Sequence, residues 1–300
     1  MSFSSEAKTE MCRIKADKSC CALAECYGIL LYCHSFTSGE ARIVTANEAF
    51  AARLPKLFRK AFGIDFDTVT LPSKQGGKQS FCINSPDKIK KIYDSYGLEP
   101  GNVLHINLAV LENECCRISF IRGAFLAGGS VSDPEKSFHL EFSTSHRTVS
   151  REASALLREL EFEPGSAERA GSSLIYFKKA DRIADILTLT GAGVSGMNVQ
   201  NAKIEREMNS KITRRVNCDS ANADKLVEAS QAQLAAIKKL VSVYGLDGLP
   251  DELRDAALLR IGNPASSLAE LASLSSPPVT KSCLSHRLRK ISELAEKLEK

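Results

Sequence analysis

The sequence predicts an α+β fold: a duplicated α/β unit followed by an all-helical module. Three observations carry this. Helices and strands alternate along the first half of the chain, and the alternation restarts after Cys115. A Cys-Cys pair leading into an apolar helix occurs twice, at Cys20-Cys21 and Cys115-Cys116, 95 residues apart. Beyond about Asn198 the strand pattern stops and helical periodicity takes over. The 300 residues leave room for two domains. With 43% hydrophobic and 25% charged residues the chain can bury a core, which excludes disorder along its length.

Each element follows from local pattern. Cys20 to Tyr32 reads as an apolar helix whose only charge is Glu25. Ala41 to Thr45 alternates as a strand, and Asn47 caps a helix to about Phe62 with Phe50, Leu54, Leu57, Phe58 and Ala61 on one face. Phe66 to Leu71 and Gln79 to Asn84 read as strands around a turn at Gln75-Gly76-Gly77. Ser85-Pro86-Asp87 opens a helix to about Tyr96, with proline at its first position. The second round runs as helix from Cys115 to Ala127, turn at Ser132-Asp133-Pro134, strand from Ser137 to Ser143 and helix from Ser150 to Leu160. A strand from Ser172 to Phe177 and a helix from Lys179 to Leu189 complete it. In both rounds the second cysteine lies 12 residues before the end of its helix, at Cys33 and Gly128. Small residues in Arg122-Gly123-Ala124-Phe125-Leu126-Ala127-Gly128-Gly129-Ser130 allow two such helices to approach backbone to backbone. The later region reads as helices from Ala202 to Val216 and from Asn222 to Tyr244, the second closed by Gly245.

The last 55 residues or so carry the clearest chemical pattern. A helix from Pro250 through Arg260 ends at Gly262-Asn263-Pro264. A short helix over Ser267 to Leu274 breaks at Ser275-Ser276-Pro277-Pro278, and Thr280 caps a final helix with Cys283, Leu284, Leu288 and Ile291 inward. Short helix, break and capped second helix is the arrangement that lays a recognition helix in the major groove. Residues 280–291 contain Lys281, Arg287, Arg289 and Lys290 and no acid. Lys281, Ser282, Ser285 and His286 are expected to face bases, and Arg287, Arg289 and Lys290 to grip phosphates.

Other patterns exclude more than they offer. The net charge is +4, from 40 basic and 36 acidic residues, too mild to define a nucleic-acid partner alone. No apolar run reaches the ~18 residues of a membrane helix, and no apolar leader predicts a secretory signal. None of the ten cysteines forms a Cys-x-x-Cys, so a zinc knuckle has no support; reduced, mostly buried thiols are expected, with no metal and no cofactor, an oxygen-sensitive metal or redox site being the alternative. Gly191-Ala192-Gly193-Val194-Ser195-Gly196 matches a dinucleotide fingerprint in letters, but a helix precedes it where a strand is required. The five histidines show no ligand spacing and no catalytic triad is visible.

The Arg122 to Val131 string, followed by a helix–turn–helix with Ser285-His286-Arg287-Leu288-Arg289-Lys290, resembles the WhiA family of bacterial transcription regulators linked to sporulation and cell division. The likeness covers nearly the whole chain. It includes Met1-Ser2-Phe3-Ser4-Ser5-Glu6, Cys20-Cys21 with Ala24-Glu25, Cys115-Cys116, and Val216-Asn217-Cys218 with Ala221-Asn222. The family looks like a degenerate LAGLIDADG homing endonuclease joined to a sigma-factor-like helix–turn–helix. The resemblance implies a duplicated LAGLIDADG-like αββαββα N-terminal domain with halves at 1–112 and 113–216. A linker helix at 217–248 and an all-α helix–turn–helix domain at 249–300 would follow. It implies a cytoplasmic, nucleoid-associated regulator acting in cell division, chromosome segregation and, where present, sporulation. Its partners would be double-stranded promoter DNA and RNA polymerase or a sigma factor, with no membrane.

An active enzyme of this type places a carboxylate at the foot of each central helix to hold divalent metal. The matching positions here are Cys33 and Gly128. Glycine offers no side-chain ligand and a thiol suits hard Mg²⁺ poorly. The expectation is therefore a non-enzymatic protein with no catalytic residues. A metal-dependent LAGLIDADG-type endonuclease and a nucleotide-linked enzyme are the alternatives.

Overall fold

A computed structural model describes residues 1–72 and 77–298. Its two compact units are Met1–Arg206 and Glu207–Lys300. Two residues of the expected turn, Gln75 and Gly76, lie outside the described residues.

The first unit opens with α1 (Phe3–Met11) and then passes twice through the same sequence of elements. The first pass is α2 (Ser19–Tyr32), β1 (Ser35–Phe36), β2 (Ala41–Thr45), α3 (Glu48–Phe62), β3 (Thr68–Thr70), β4 (Gln79–Ile83) and α4 (Pro86–Tyr96). After a 3₁₀ turn at Leu108–Leu111 the second pass is α5 (Glu114–Gly128), β5 (Gly129–Val131), β6 (Leu140–Thr144), α6 (Arg147–Glu159), β7 (Gly165–Arg169), β8 (Ser172–Phe177) and α7 (Ala180–Thr190). Each pass is αββαββα and makes one antiparallel sheet, ordered β1-β2-β4-β3 and β5-β6-β8-β7. The register pairs Ile43 with Phe81 in one sheet and Phe142 with Ile175 in the other, so these apolar side chains share the covered faces.

Local chemistry explains the boundaries. The Asn47 side chain accepts from the Phe50 backbone N–H at 2.9 Å and starts α3, which Gly63 ends at φ +65°. Pro86 occupies the start of α4. Gly191 closes α7 at φ +102°, so the glycine string is a helix C-cap and not a phosphate loop.

The core forms around α2 and α5. A Cβ on Gly28 would drive into the Phe120 carbonyl oxygen, and one on Gly123 into that of Glu25. The two glycines are 95 residues apart, the same spacing as the cysteine pairs, and let the helix backbones touch reciprocally. Tyr27 and Tyr96 stack at 4.1 Å between centroids beside this crossing. Glu25 is fully buried and holds Arg53 through Nε at 2.6 Å and Nη2 at 2.8 Å. It also accepts from Arg122 Nη1 at 3.3 Å. Arg53 reaches the Cys12 and Ile14 carbonyls, and Arg122 the Thr190 carbonyl. A carboxylate this deep persists because both oxygens are satisfied by cations.

Three sequence readings change. The helices expected at Ala202–Val216 and Asn222–Tyr244 are one element, α8 (Gly193–Tyr244), of 52 residues. Polar residues from Asn217 to Ser220 suggested a break, but no glycine or proline lies between Met197 and Tyr244 to enforce it. The strand expected from Ser137 begins only at Leu140, because Ser132 Oγ and the Ser137–His139 backbone bond across the turn. The helix expected from Ser150 starts at Arg147. The start of α8 is capped from afar: the Glu10 carboxylate accepts from the Val194 and Ser195 backbone N–H groups at 2.9 and 3.1 Å.

The second unit holds the later part of α8 with α9 (Asp251–Gly262), α10 (Leu268–Leu274) and α11 (Lys281–Lys297). No helix among the described residues is long and apolar enough to cross a membrane.

Candidate nucleic-acid interface

The helical unit is built so that α11 shows one face outward. Its other face inserts Leu284, Leu288, Ile291 and Ala295 between Leu253, Ala256 and Ala257 of α9 and Leu271 and Ala272 of α10. α10 begins with a capping box: Ser267 Oγ accepts from the Glu270 N–H at 3.3 Å, and Glu270 accepts from the Ser267 N–H at 2.7 Å. The hydrogen bond from the Ser267 N–H holds the Glu270 carboxyl below its ordinary range. The turn to α11 is closed by the Val279 N–H on the Ala272 carbonyl at 3.2 Å. Thr280 Oγ1 then accepts from the Cys283 N–H at 3.2 Å. Arg260 is buried and stiffens the frame, donating to Gln233 Oε1 at 2.9 Å and to the Ser266 carbonyl at 2.7 Å.

On the free face Lys281, Ser282, Ser285, His286, Arg289 and Lys290 are all exposed. Ser282, Ser285, His286, Arg289 and Lys290 lie on the side of α11 away from Leu284 and Leu288, while Lys281, three residues before Leu284, is exposed in the first turn above the buried stripe. Arg287 departs from the set. Its side chain is 19% exposed, turned to α9, with Nη2 3.6 Å from Glu252. Its Nε is buried without a hydrogen bond. The sequence reading assigned it to phosphate because the 280–291 stretch has no acid; the acid facing it comes from another helix, which spacing does not show. Arg289 lies 3.4 Å from Glu293 one turn on, yet stays 69% exposed and able to swing outward.

The feet of α2 and α5 lie in the first unit. Cys33 caps α2, and its Sγ lies 3.1 Å from both the Leu30 and Ser35 carbonyl oxygens, either of which can accept its single proton. Burial pushes that thiol up to about 12, so it is a neutral donor. Gly128 ends α5, and a Cβ there would collide with the Ser143 carbonyl oxygen and crowd that of Tyr32. The residues present do not fit a divalent metal: one foot has no ligand atom and no room for one, and the other is protonated and already engaged. Glu25 is committed to Arg53 and Arg122, and Asp133 lies in the turn after β5, where its Oδ1 accepts from the Glu135 N–H.

Sequence reasoning missed one constellation. Cys20, Cys21, Cys115 and Cys116, treated above as two markers of a repeat, converge in space. A search for Cys-x-x-Cys cannot find it, since each helix supplies an adjacent pair and the pairs meet only through the fold.

Two αββαββα repeats with carboxylate-free feet, joined to a helix–turn–helix, define a DNA-binding helix–turn–helix protein on a LAGLIDADG-like scaffold. The comparisons specify it further: the chain belongs to the WhiA family. The model of the WhiA C-terminal HTH domain matches residues 212–295, and that of the WhiA LAGLIDADG-like domain matches residues 117–209. The chain is 36% identical over 309 residues to the probable cell division protein WhiA of Ruminiclostridium cellulolyticum, covering 100% of this chain and 99% of the relative. It is 32% identical over 315 residues to that of Alkaliphilus metalliredigens, covering 99% and 98%. The full-length DUF199/WhiA crystal structure from Thermatoga maritima shares the fold at a TM-score of 0.60 and 23% identity, covering 99% of each chain. The isolated N-terminal LAGLIDADG domain of DUF199/WhiA aligns at a TM-score of 0.50 and 19% identity, over 63% of this chain and 92% of that one.

Proposed function

We propose that the protein binds promoter DNA through α11 and regulates transcription of genes for cell division and chromosome segregation and, where the organism sporulates, for sporulation. The observation that carries this is the α11 face itself: short donors at its N-terminal end, cations along it, and the opposite side locked by apolar packing. Ser282, Ser285 and His286 sit near the helix start, where short side chains reach base edges, together with Lys281. Arg289 and Lys290 are long enough for phosphates. Arg287 acts indirectly, by holding α11 against Glu252. This reading places the protein at the nucleoid and makes RNA polymerase or a sigma factor its protein partner. It treats 1–112 and 113–216 as a scaffold that docks weakly on duplex or on that partner, 217–248 as a linker helix and 249–300 as the DNA-reading domain. Weak docking suits the first sheet, whose Arg42 is paired with Glu40, and the α4 start beside it, whose Lys88 is paired with Asp67.

The test compares Arg289→Ala and Ser285→Ala on a native promoter and on scrambled duplex across a salt series. Arg289→Ala should weaken binding to both and lower the salt slope by about one unit. Ser285→Ala should cost on the order of 1 kcal/mol on the promoter alone, relaxing preference at one base pair. If both folded variants keep wild-type affinity and slope, α11 is not the reader, and the exposed Lys211, Arg214 and Arg215 of α8 become the site to test.

A further inference from the structure

The starts of α2 and α5 converge on four thiols. Cys20 and Cys21 are the second and third residues of α2, and Cys115 and Cys116 the second and third of α5. The four sulfur atoms all lie within 4.8 Å of one another. We propose that these cysteines bind one thiophilic divalent cation, zinc, in a tetrahedral all-sulfur site that clamps the two halves of the LAGLIDADG-like domain.

Geometry selects the ligand class. Four thiolates at ~2.3 Å from a tetrahedral Zn²⁺ stand about 3.8 Å apart, so the observed cluster is already near the size a single ion needs. An iron–sulfur cube is too large, because its cysteines attach to the outside of an inorganic core. Hard ions such as Mg²⁺ and Ca²⁺ take oxygen ligands, and no carboxylate or histidine takes part in the cluster. Two disulfides would also use all four sulfurs, and an intact mass separates that arrangement from a metal site.

The surroundings suit an anionic metal–thiolate centre. The sulfurs sit on the first turns of both helices, at their positive dipole ends. Neither helix has a side-chain N-cap: Lys18 and Asn113 make no capping hydrogen bond. Lys18 and Arg122 line the same surface cleft as Cys21 and Cys115, placing positive charge near the sulfurs. Cys116 is buried and Cys20 exposed, so an ion can enter from one side and be held from the other. The site lies at the end of the helices opposite Cys33 and Gly128, with the Gly28–Gly123 crossing between. The helix pair is thus fixed by backbone contact at its middle and by metal at its start.

The full chain, purified under reducing conditions without chelator, is examined by native mass spectrometry, then stripped of metal and titrated with Co²⁺. Bound zinc at one ion per chain is expected. Co²⁺ should give intense sulfur-to-metal charge-transfer bands and the visible bands of a tetrahedral site, saturating at one ion per chain and bleached by Zn²⁺. Cys20→Ser, at the exposed corner, should weaken Co²⁺ binding at least tenfold, while Cys218→Ser should leave it unchanged. Stripping should lower the melting temperature without changing helix content. A pale octahedral Co²⁺ spectrum in the wild-type chain overturns the proposal whether or not any variant folds. So does an intact mass showing these cysteines paired as disulfides, or charge-transfer bands that Cys20→Ser leaves intact.

Discussion

Gly128 sits where a metal-binding carboxylate would have to stand, and its surroundings have closed over the space. The Ser143 and Tyr32 carbonyl oxygens occupy the volume a side chain would need. Restoring acids at both feet, by Gly128→Asp with Cys33→Asp, is therefore expected to yield no nuclease. Overpacking of this kind costs roughly 1–3 kcal/mol, so the double variant should melt earlier than the parent. Supercoiled and linear duplex incubated with Mg²⁺ or Mn²⁺ should stay intact with either protein. Specific, chelator-sensitive cutting by either would show that the feet still assemble a metal centre. Cys33 reaches the same end by another route, as a buried neutral thiol hydrogen-bonded to the backbone rather than an absent group. The replacement of acid by cysteine and glycine was legible in the sequence. The loss of space was not, because the obstructing carbonyls belong to α2 and β6, distant in sequence from α5.

Capping decides how well α11 is presented. The Thr280 side chain closes the first turn of α11, and Thr280→Ala should cost about 1 kcal/mol of stability in the helical unit. The loss should appear as a lower melting temperature and faster amide exchange from Lys281 to Ser285, and Thr280→Ser should restore both. Helices with such chemistry could be read directly: Asn47 before α3, Pro86 in α4, Thr280 before α11; the Ser267–Glu270 box at α10 emerged only with the fold. Strands were harder. β1 has two residues, β5 three, and β7 is the polar run Gly-Ser-Ala-Glu-Arg, nearly all exposed. All three are edge strands, whose pairing comes from backbone groups rather than apolar alternation. The six outward residues of α11 were legible because they share a helix with their own buried stripe. The inward turn of Arg287 was not, since Glu252 on α9 decides it.

At the scale of the whole molecule, the repeat sets what must be kept together. The two sheets have the same strand order, and the glycine contact is reciprocal, Gly28 on Phe120 and Gly123 on Glu25. The Glu25 cluster then breaks the symmetry, since one carboxylate in the first half serves an arginine from each half. Neither half buries its own central helix. A chain cut in the loop between them should behave as two halves of a complementation pair. Residues 1–112 and 113–206, produced separately, are expected to be insoluble or molten; produced together they should reassemble into a one-to-one heterodimer that sediments and melts as a single body. A well-folded monomer from either piece would contradict this. The duplication thus survives as a division of labour, in which each copy is the solvent-excluding wall of the other and neither can be discarded.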